Sequence, residues 1–92
     1  MANSIFIGYE LDRPDHNYVA VEQAIRSLGT ALHIKTSLWF LSTSYNVESV
    51  FQRVRGVQQV QDKLVVIDPV TNSGKWTLGS AVMNEALKRL WT

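Results

Sequence analysis

Residues 4–11 read Ser-Ile-Phe-Ile-Gly-Tyr-Glu-Leu, and this stretch decides the fold. Its large side chains alternate, with Ile5, Ile7 and Tyr9 on one side and Phe6 among small or polar residues on the other. Alternation with a period of two is typical of a β-strand with one buried face. The stretch therefore predicts a first strand with a core-facing side and a second side that carries an aromatic ring.

Two helices are predicted from apolar residues that recur at helical spacing. The first runs from Tyr18 to Leu28, and Gly29 is expected to end it in the left-handed conformation. The second follows Asn46, a good N-cap residue, and continues from Val47 towards Val57. A third helical pattern begins after Trp76 and closes the chain.

Three further strands are predicted from β-branched and aromatic runs. Residues 31–43 form such a run, and a polar break at residues 35–37 divides it into two strands. Residues 64–67 read Leu-Val-Val-Ile, which is typical of a central strand, and residues 70–75 are predicted to form a loop. The order predicts one α+β domain over residues 1–92, a ferredoxin-like βαββαβ fold. We expect a four-stranded antiparallel sheet with two helices on one face, plus a C-terminal helix.

The other face of this sheet would lack a cover. Phe6 is expected there, together with either Trp39 and Leu41 or Leu38 and Phe40. An apolar face of this kind predicts that the C-terminal helix or a second subunit buries it. The candidate interface residues are Phe6, Trp39 and, because a tryptophan so near the end of the chain must find a surface, Trp91.

Composition excludes several classes of function. The chain has no cysteine, which excludes disulfides, thiolate catalysis and cysteine-ligated zinc. Its net charge of +1 supplies no general attraction for nucleic acid. No apolar run approaches the roughly 18 residues of a membrane span, and residues 1–7 lack the pattern of a signal peptide. A cytoplasmic protein without a membrane partner is expected.

A family resemblance rests on the order and spacing of several short matches. They are Tyr9-Glu10-Leu11, Pro14, Asn17-Tyr18, Ala24-Ile25, Leu28-Gly29, Ser37 and Trp39, and Asp62-Lys63-Leu64-Val65-Val66. The pattern resembles the SinR-like proteins, small ferredoxin-like domains related to the smaller of the two CRISPR spacer-acquisition subunits. The resemblance implies a homodimer joined through or near the sheet and a history among defence-related folds. It implies no particular activity.

The resemblance also bears on a metal site. In the CRISPR-associated relatives the first strand ends in Tyr-Asp, and that aspartate from each subunit can hold a divalent metal for phosphodiester cleavage. Glu10 stands at this position here, and Asp12 shares its face of the strand. A dimer could bring four such carboxylates together around Mg²⁺, so a metal-dependent nuclease is one alternative. The other alternative is that Glu10 and Asp12 are ordinary charged residues at the end of a strand and bind no cofactor.

Basic residues suggest a second kind of site. Arg53, Arg55 and Lys63 could contact phosphates, and Tyr45 or Trp76 could stack on a base. Cations dispersed among eight acidic residues are more often solvating charges, which is the interpretation that the sequence favours.

The two histidines support no catalytic triad. His16 lies in a predicted loop, and His33 lies between Leu32 and Ile34 in a strand, where it is expected to point outward. We therefore predict a non-catalytic homodimeric interaction module of the SinR-like or CRISPR-adaptation-like type. A phage or mobile-element protein that binds a host defence complex is a further alternative.

Overall fold

The structure is a computed structural model that describes residues 3–11, 18–35, 37–58, 62–78 and 80–90. Within these ranges the chain forms a five-stranded antiparallel sheet and three helices, which confirms the α+β class. In chain order the elements are β1 (Asn3–Glu10), α1 (Tyr18–Ser27), β2 (Gly29–Lys35), β3 (Leu38–Thr43), α2 (Val47–Arg55), β4 (Lys63–Asp68), β5 (Ser73–Thr77) and α3 (Ala81–Leu90).

The stretch with the clearest alternation, β1, occupies the centre of the sheet. The strand order is β2-β3-β1-β4-β5, and every neighbouring pair is antiparallel. Ile7 lies opposite Trp39 of β3 and Val66 of β4. These three side chains share one face of the sheet, and the alternate residues of each strand share the other.

Helices α1 and α2 cover the face that carries Ile7. The apolar stripes of both helices pack on it, which is what their helical spacing predicts. The core that results consists of Ile5, Ile7, Tyr9, Leu11, Val21, Ile25, Leu28, Trp39, Leu41, Val47, Val50, Phe51, Val54, Leu64 and Val66. Asn46 caps α2 as predicted, since its side-chain oxygen accepts a hydrogen bond of 2.9 Å from the Ser49 N–H.

The structure decides which face each side chain of β3 occupies. Trp39 and Leu41 point towards the helices and are fully buried, whereas Leu38 and Phe40 point to the other side. The sequence left open whether Trp39 and Leu41 or Leu38 and Phe40 lie on the uncovered face, and the structure shows that Leu38 and Phe40 do. Trp39 lies in the core, so it does not belong to the uncovered face for which the sequence made it a candidate.

The fifth strand differs from the sequence-based prediction. Residues 70–75 were predicted to form a loop, but Ser73–Thr77 pairs with the free edge of β4. The Asp68 carboxylate accepts hydrogen bonds from the N–H groups of Val70 and Thr71, and Asn72 adopts a positive φ of 55°. This turn chemistry reverses the chain and brings it back along β4. The sheet therefore has five strands where the pattern predicted four.

Gly29 also has a different role from the one predicted. It is the first residue of β2 and does not adopt the left-handed conformation. A Cβ atom at this position would collide with the backbone carbonyl oxygen of Ser42 in β3. A glycine is required here because the two strands approach each other closely, not because the first helix ends in a left-handed cap.

Helix α3 is attached to the sheet at β5. The Asn84 side-chain oxygen accepts a 2.7 Å hydrogen bond from the Leu78 N–H, and the Asn84 carbonyl accepts one of 3.3 Å from the Trp76 indole. None of the α3 residues is buried. Among the helices within the described ranges, none is long and apolar enough to cross a membrane.

Candidate interaction surface

The side of the sheet opposite α1 and α2 is termed the open face. Its apolar side chains come from all five strands, because the alternate residues of each strand point to it. They are Leu32 of β2, Leu38 and Phe40 of β3, Phe6 of β1, Val65 and Ile67 of β4, and Trp76 of β5. Phe6 was expected here from the sequence, and the structure places it at the centre.

Four of these side chains form one row across the sheet. Leu32 lies opposite Phe40, Phe40 opposite Phe6, and Phe6 opposite Ile67. The rings of Phe6 and Phe40 meet edge to face, with centroids 5.4 Å apart and an interplanar angle of 68°. Leu32 is 62% exposed and Phe6 is 37% exposed. The row is thus an apolar ridge that solvent reaches.

A gap lies beside this ridge. The next row along the strands places Gly8 of β1 between Leu38 and Val65. A Cβ atom added to Gly8 would meet no other atom within 4 Å, so the space above this residue is open. The open face therefore carries an exposed ring and an opening two residues apart on the same strand.

The C-terminal helix does not cover the ridge. Its anchoring bonds hold α3 at the β5 edge of the open face, where Trp76 lies opposite Val65. The apolar side chains of α3, Val82, Met83 and Leu90, are exposed. The sequence predicted that either this helix or a second subunit buries the open face. Within the described part of the chain, α3 leaves Phe6 and Leu32 accessible.

Glu10 lies at the end of β1, opposite Lys63 of β4. The carboxylate oxygen of Glu10 is 3.5 Å from the ammonium nitrogen of Lys63, and both side chains are substantially exposed. Asp12, its predicted companion in a metal site, lies outside the described residues. Across the described ranges, no group of three or more histidine, aspartate or glutamate side chains is placed to hold a metal ion.

The predicted phosphate-contacting cations are divided between the two sides of the sheet. Arg53, on α2, lies over the ring of Tyr45 at 4.4 Å from its centroid. Arg55, also on α2, donates hydrogen bonds of 2.9 Å to the Gln58 side chain and 2.8 Å to the Asp62 carbonyl. Lys63 belongs to the open side and pairs with Glu10. The structure thus engages Arg53 and Arg55 in local contacts on the helix side, whereas the Lys63 side chain lies on the open side.

His33 lies on the helix-covered side of the sheet. Its ring stacks on Trp39, with centroids 4.1 Å apart and planes inclined by 4°, and the Arg26 guanidinium lies 4.8 Å from the centroid of the same tryptophan. The imidazole is exposed to solvent, but the prediction that it points outward is wrong, because it lies on the core side of β2 and covers one side of Trp39. His16 and Trp91 lie outside the described residues.

A polar cleft that the sequence did not predict lies between the start of α2 and the β4–β5 hairpin. It has a volume of about 390 Å³, and its lining includes Asn46, Glu48, Asp68 and Lys75. Lys75 pairs with Glu48 at 3.6 Å, and Asp68 is occupied by the turn described above. The Lys75–Glu48 pair therefore links β5 to α2, and Asn46 and Asp68 are used in the helix cap and the turn.

In comparisons with known proteins, no family model matches this chain, and no curated protein and no solved structure is significantly similar to it. The resemblance to the SinR-like proteins therefore remains a prediction from the sequence pattern.

Proposed function

We propose that this chain is a non-catalytic interaction module that forms a homodimer through its open face. The observation that carries the proposal is the apolar ridge of Leu32, Phe40, Phe6 and Ile67, of which Leu32 and Phe6 are exposed and left uncovered by α3. Large contiguous apolar patches are uncommon on monomeric proteins, and they mark surfaces that bind another molecule.

The size of the open face is adequate for such a dimer. Five strands spaced about 4.8 Å apart and roughly six residues long, at about 3.3 Å per residue, give a footprint of about 24 by 20 Å. Side chains roughen this footprint, so two stacked faces would bury on the order of 1,000 Å² in total, at the lower limit for a specific interface. A second copy of the same face therefore supplies enough area.

The strand order supports the ferredoxin-like fold that forms part of this proposal. Four of the five strands follow the order β2-β3-β1-β4, which is the arrangement expected of a ferredoxin-like βαββαβ unit to which β5 has been added. This order agrees with the resemblance to the SinR-like and CRISPR-adaptation proteins, for which a homodimer is implied. A defence-related role in the cytoplasm belongs to the same proposal.

The environment of Glu10 supports the part of the proposal that assigns no catalytic activity to this chain. An ammonium group 3.5 Å from its carboxylate lowers the negative potential that would attract Mg²⁺. The pair is exposed, so its own contribution to stability is small. Glu10 is thus better placed to interact with Lys63 than to provide a metal ligand.

Sedimentation equilibrium over roughly 1 to 100 µM tests self-association, a range in which dimers of moderate affinity dissociate. We expect a species of about twice 10.4 kDa that dissociates on dilution. A single species of monomer mass at every concentration would overturn the homodimer and favour a partner of different sequence, such as a host defence complex. Cleavage of RNA or DNA that requires Mg²⁺ and is lost in Glu10→Ala would overturn the non-catalytic part.

A further inference from the structure

We infer that the two copies are related by a twofold axis that lies between their open faces and runs perpendicular to β1 at the level of Ile7, so that each Phe6 ring fits over the partner's Gly8. This inference rests on the proposed self-association through the open face. It specifies which residues of the two copies meet, which self-association alone does not.

The open side of β1 carries a large ring next to a residue without a side chain. Phe6 and Gly8 point to the same face and lie two residues apart, a separation of about 6.6 Å along a strand. Phe6 is 37% exposed, whereas a Cβ at Gly8 would find no atom within 4 Å. A protruding ring and an opening of the kind that could receive it are therefore adjacent on one strand.

A twofold axis can bring the ring of each copy to the opening of the other. An axis that lies between two stacked sheets and runs perpendicular to β1 at Ile7 reverses the strand direction of one copy relative to the other. Positions 6 and 8 then exchange, so Phe6 faces the partner's Gly8 and the same contact occurs a second time. Such reciprocity is what an isologous dimer interface requires.

The flanking residues are compatible with this axis. In the row of Phe6, the neighbours are Phe40 and Ile67, and in the row of Gly8 they are Leu38 and Val65. The axis therefore sets Phe40 against the partner's Leu38 and Ile67 against the partner's Val65. These contacts are apolar, and none opposes two like charges. In β5 the axis sets Trp76, which binds α3, against the partner's Gly74.

An axis parallel to the strands fits less well. Centred on β1, it would set Phe6 directly against the partner's Phe6, although stacked sheets are only about 10 Å apart. Centred on β3, it would set Phe6 against the partner's Leu32 and leave the opening at Gly8 unfilled. Protein interfaces pack as densely as interiors, and an empty space forfeits contacts, so the perpendicular axis is favoured.

The first test fills the opening with Gly8→Val. The new side chain meets no atom of its own chain, and a β-branched residue suits a strand, so the monomer should remain folded. We expect the dimer Kd from sedimentation equilibrium to rise at least tenfold, since about 1.4 kcal/mol corresponds to a factor of ten. Gly56→Ala, at the end of α2 and away from the open face, is the matched control and should leave Kd unchanged.

The second test exchanges the ring and the opening. Phe6→Ala and Gly8→Phe should each weaken the dimer, whereas the double variant should recover a Kd within about threefold of the original, because the ring again faces an opening. Circular dichroism and thermal melting check the fold of each variant. A dimer that tolerates Gly8→Val, or a double variant no tighter than Phe6→Ala alone, would overturn the axis while self-association stands. A monomeric parent protein would overturn both.

Discussion

Trp39 donates a hydrogen bond from its indole Nε1 to the hydroxyl oxygen of Tyr9, over 3.2 Å, inside the core between the sheet and the helices. The two residues lie on neighbouring strands, and both side chains are buried. A buried indole N–H without an acceptor would be costly, so this bond allows a large amphipathic ring to occupy the centre of the core.

Tyr9→Phe should destabilise the protein at neutral pH by about 1–3 kcal/mol, because it leaves the Trp39 N–H without this acceptor. Urea unfolding followed by tryptophan fluorescence measures the change. Tyr45→Phe is the matched control, since the ring that Arg53 contacts is retained, and its effect should stay within about 0.5 kcal/mol. Equal losses in the two variants would contradict the role assigned to the Tyr9 hydroxyl.

Stability should fall in alkali through Tyr9. Burial raises the pKa of Tyr9 above its ordinary value of 10.0; the Trp39 hydrogen bond opposes this, and the charge of Glu22 adds to it. The unfolded chain therefore loses this proton first as the pH rises. The contribution of neutral Tyr9 is fully present below pH 10 and is lost as the pH passes through the folded-state pKa.

Urea midpoints for the parent protein and Tyr9→Phe, measured from about pH 8 to 11, test this linkage. The parent protein should lose stability more steeply than the variant, so its advantage should shrink with increasing pH. Parallel curves would show that other groups cause the alkaline loss.

Leu32→Asp should abolish self-association and leave the fold intact. The side chain is 62% exposed, so the monomer should lose no more than about 1 kcal/mol, whereas the carboxylate would be desolvated in the dimer. Val19→Asp is the matched control, because Val19 is 68% exposed on α1, on the other side of the sheet. Light scattering should show a monomer for the first variant and a dimer for the second. The reverse result would place the interface on the helices.

Gly29→Ala and Gly8→Ala should differ although both lie in strands. A Cβ at Gly29 collides with the Ser42 backbone, so the strands must move apart, and a loss of about 1–3 kcal/mol is expected. At Gly8 the Cβ enters open space, and reduced freedom of the unfolded chain should stabilise the monomer by about 0.4–1 kcal/mol. Thermal melting at a concentration where the protein is monomeric distinguishes the two. Similar losses at both positions would contradict the close approach at Gly29.

The candidate surface was only partly predictable. The place of Phe6 on an uncovered face follows from the alternation of β1, because residues 5, 7 and 9 are large and apolar and can only face the core together. The opening at Gly8 had no comparable signal. A glycine in a strand is equally expected at a bulge or a close approach, as Gly29 illustrates, and only the neighbouring strands decide between these roles.

The sequence by itself determined the α+β class, the three helices and the core side of β1, since periodicity records which residues face a common partner within one element. Only the tertiary structure decided the side chosen by β3, the position of His33 against Trp39, and the pairing of Ser73–Thr77. These depend on which strand lies alongside. In β3 both sets of alternate residues are apolar, so its own pattern does not select a face. In β5 the strand is defined by hydrogen bonds to β4 rather than by its own pattern. The information that decides both features therefore lies outside each segment.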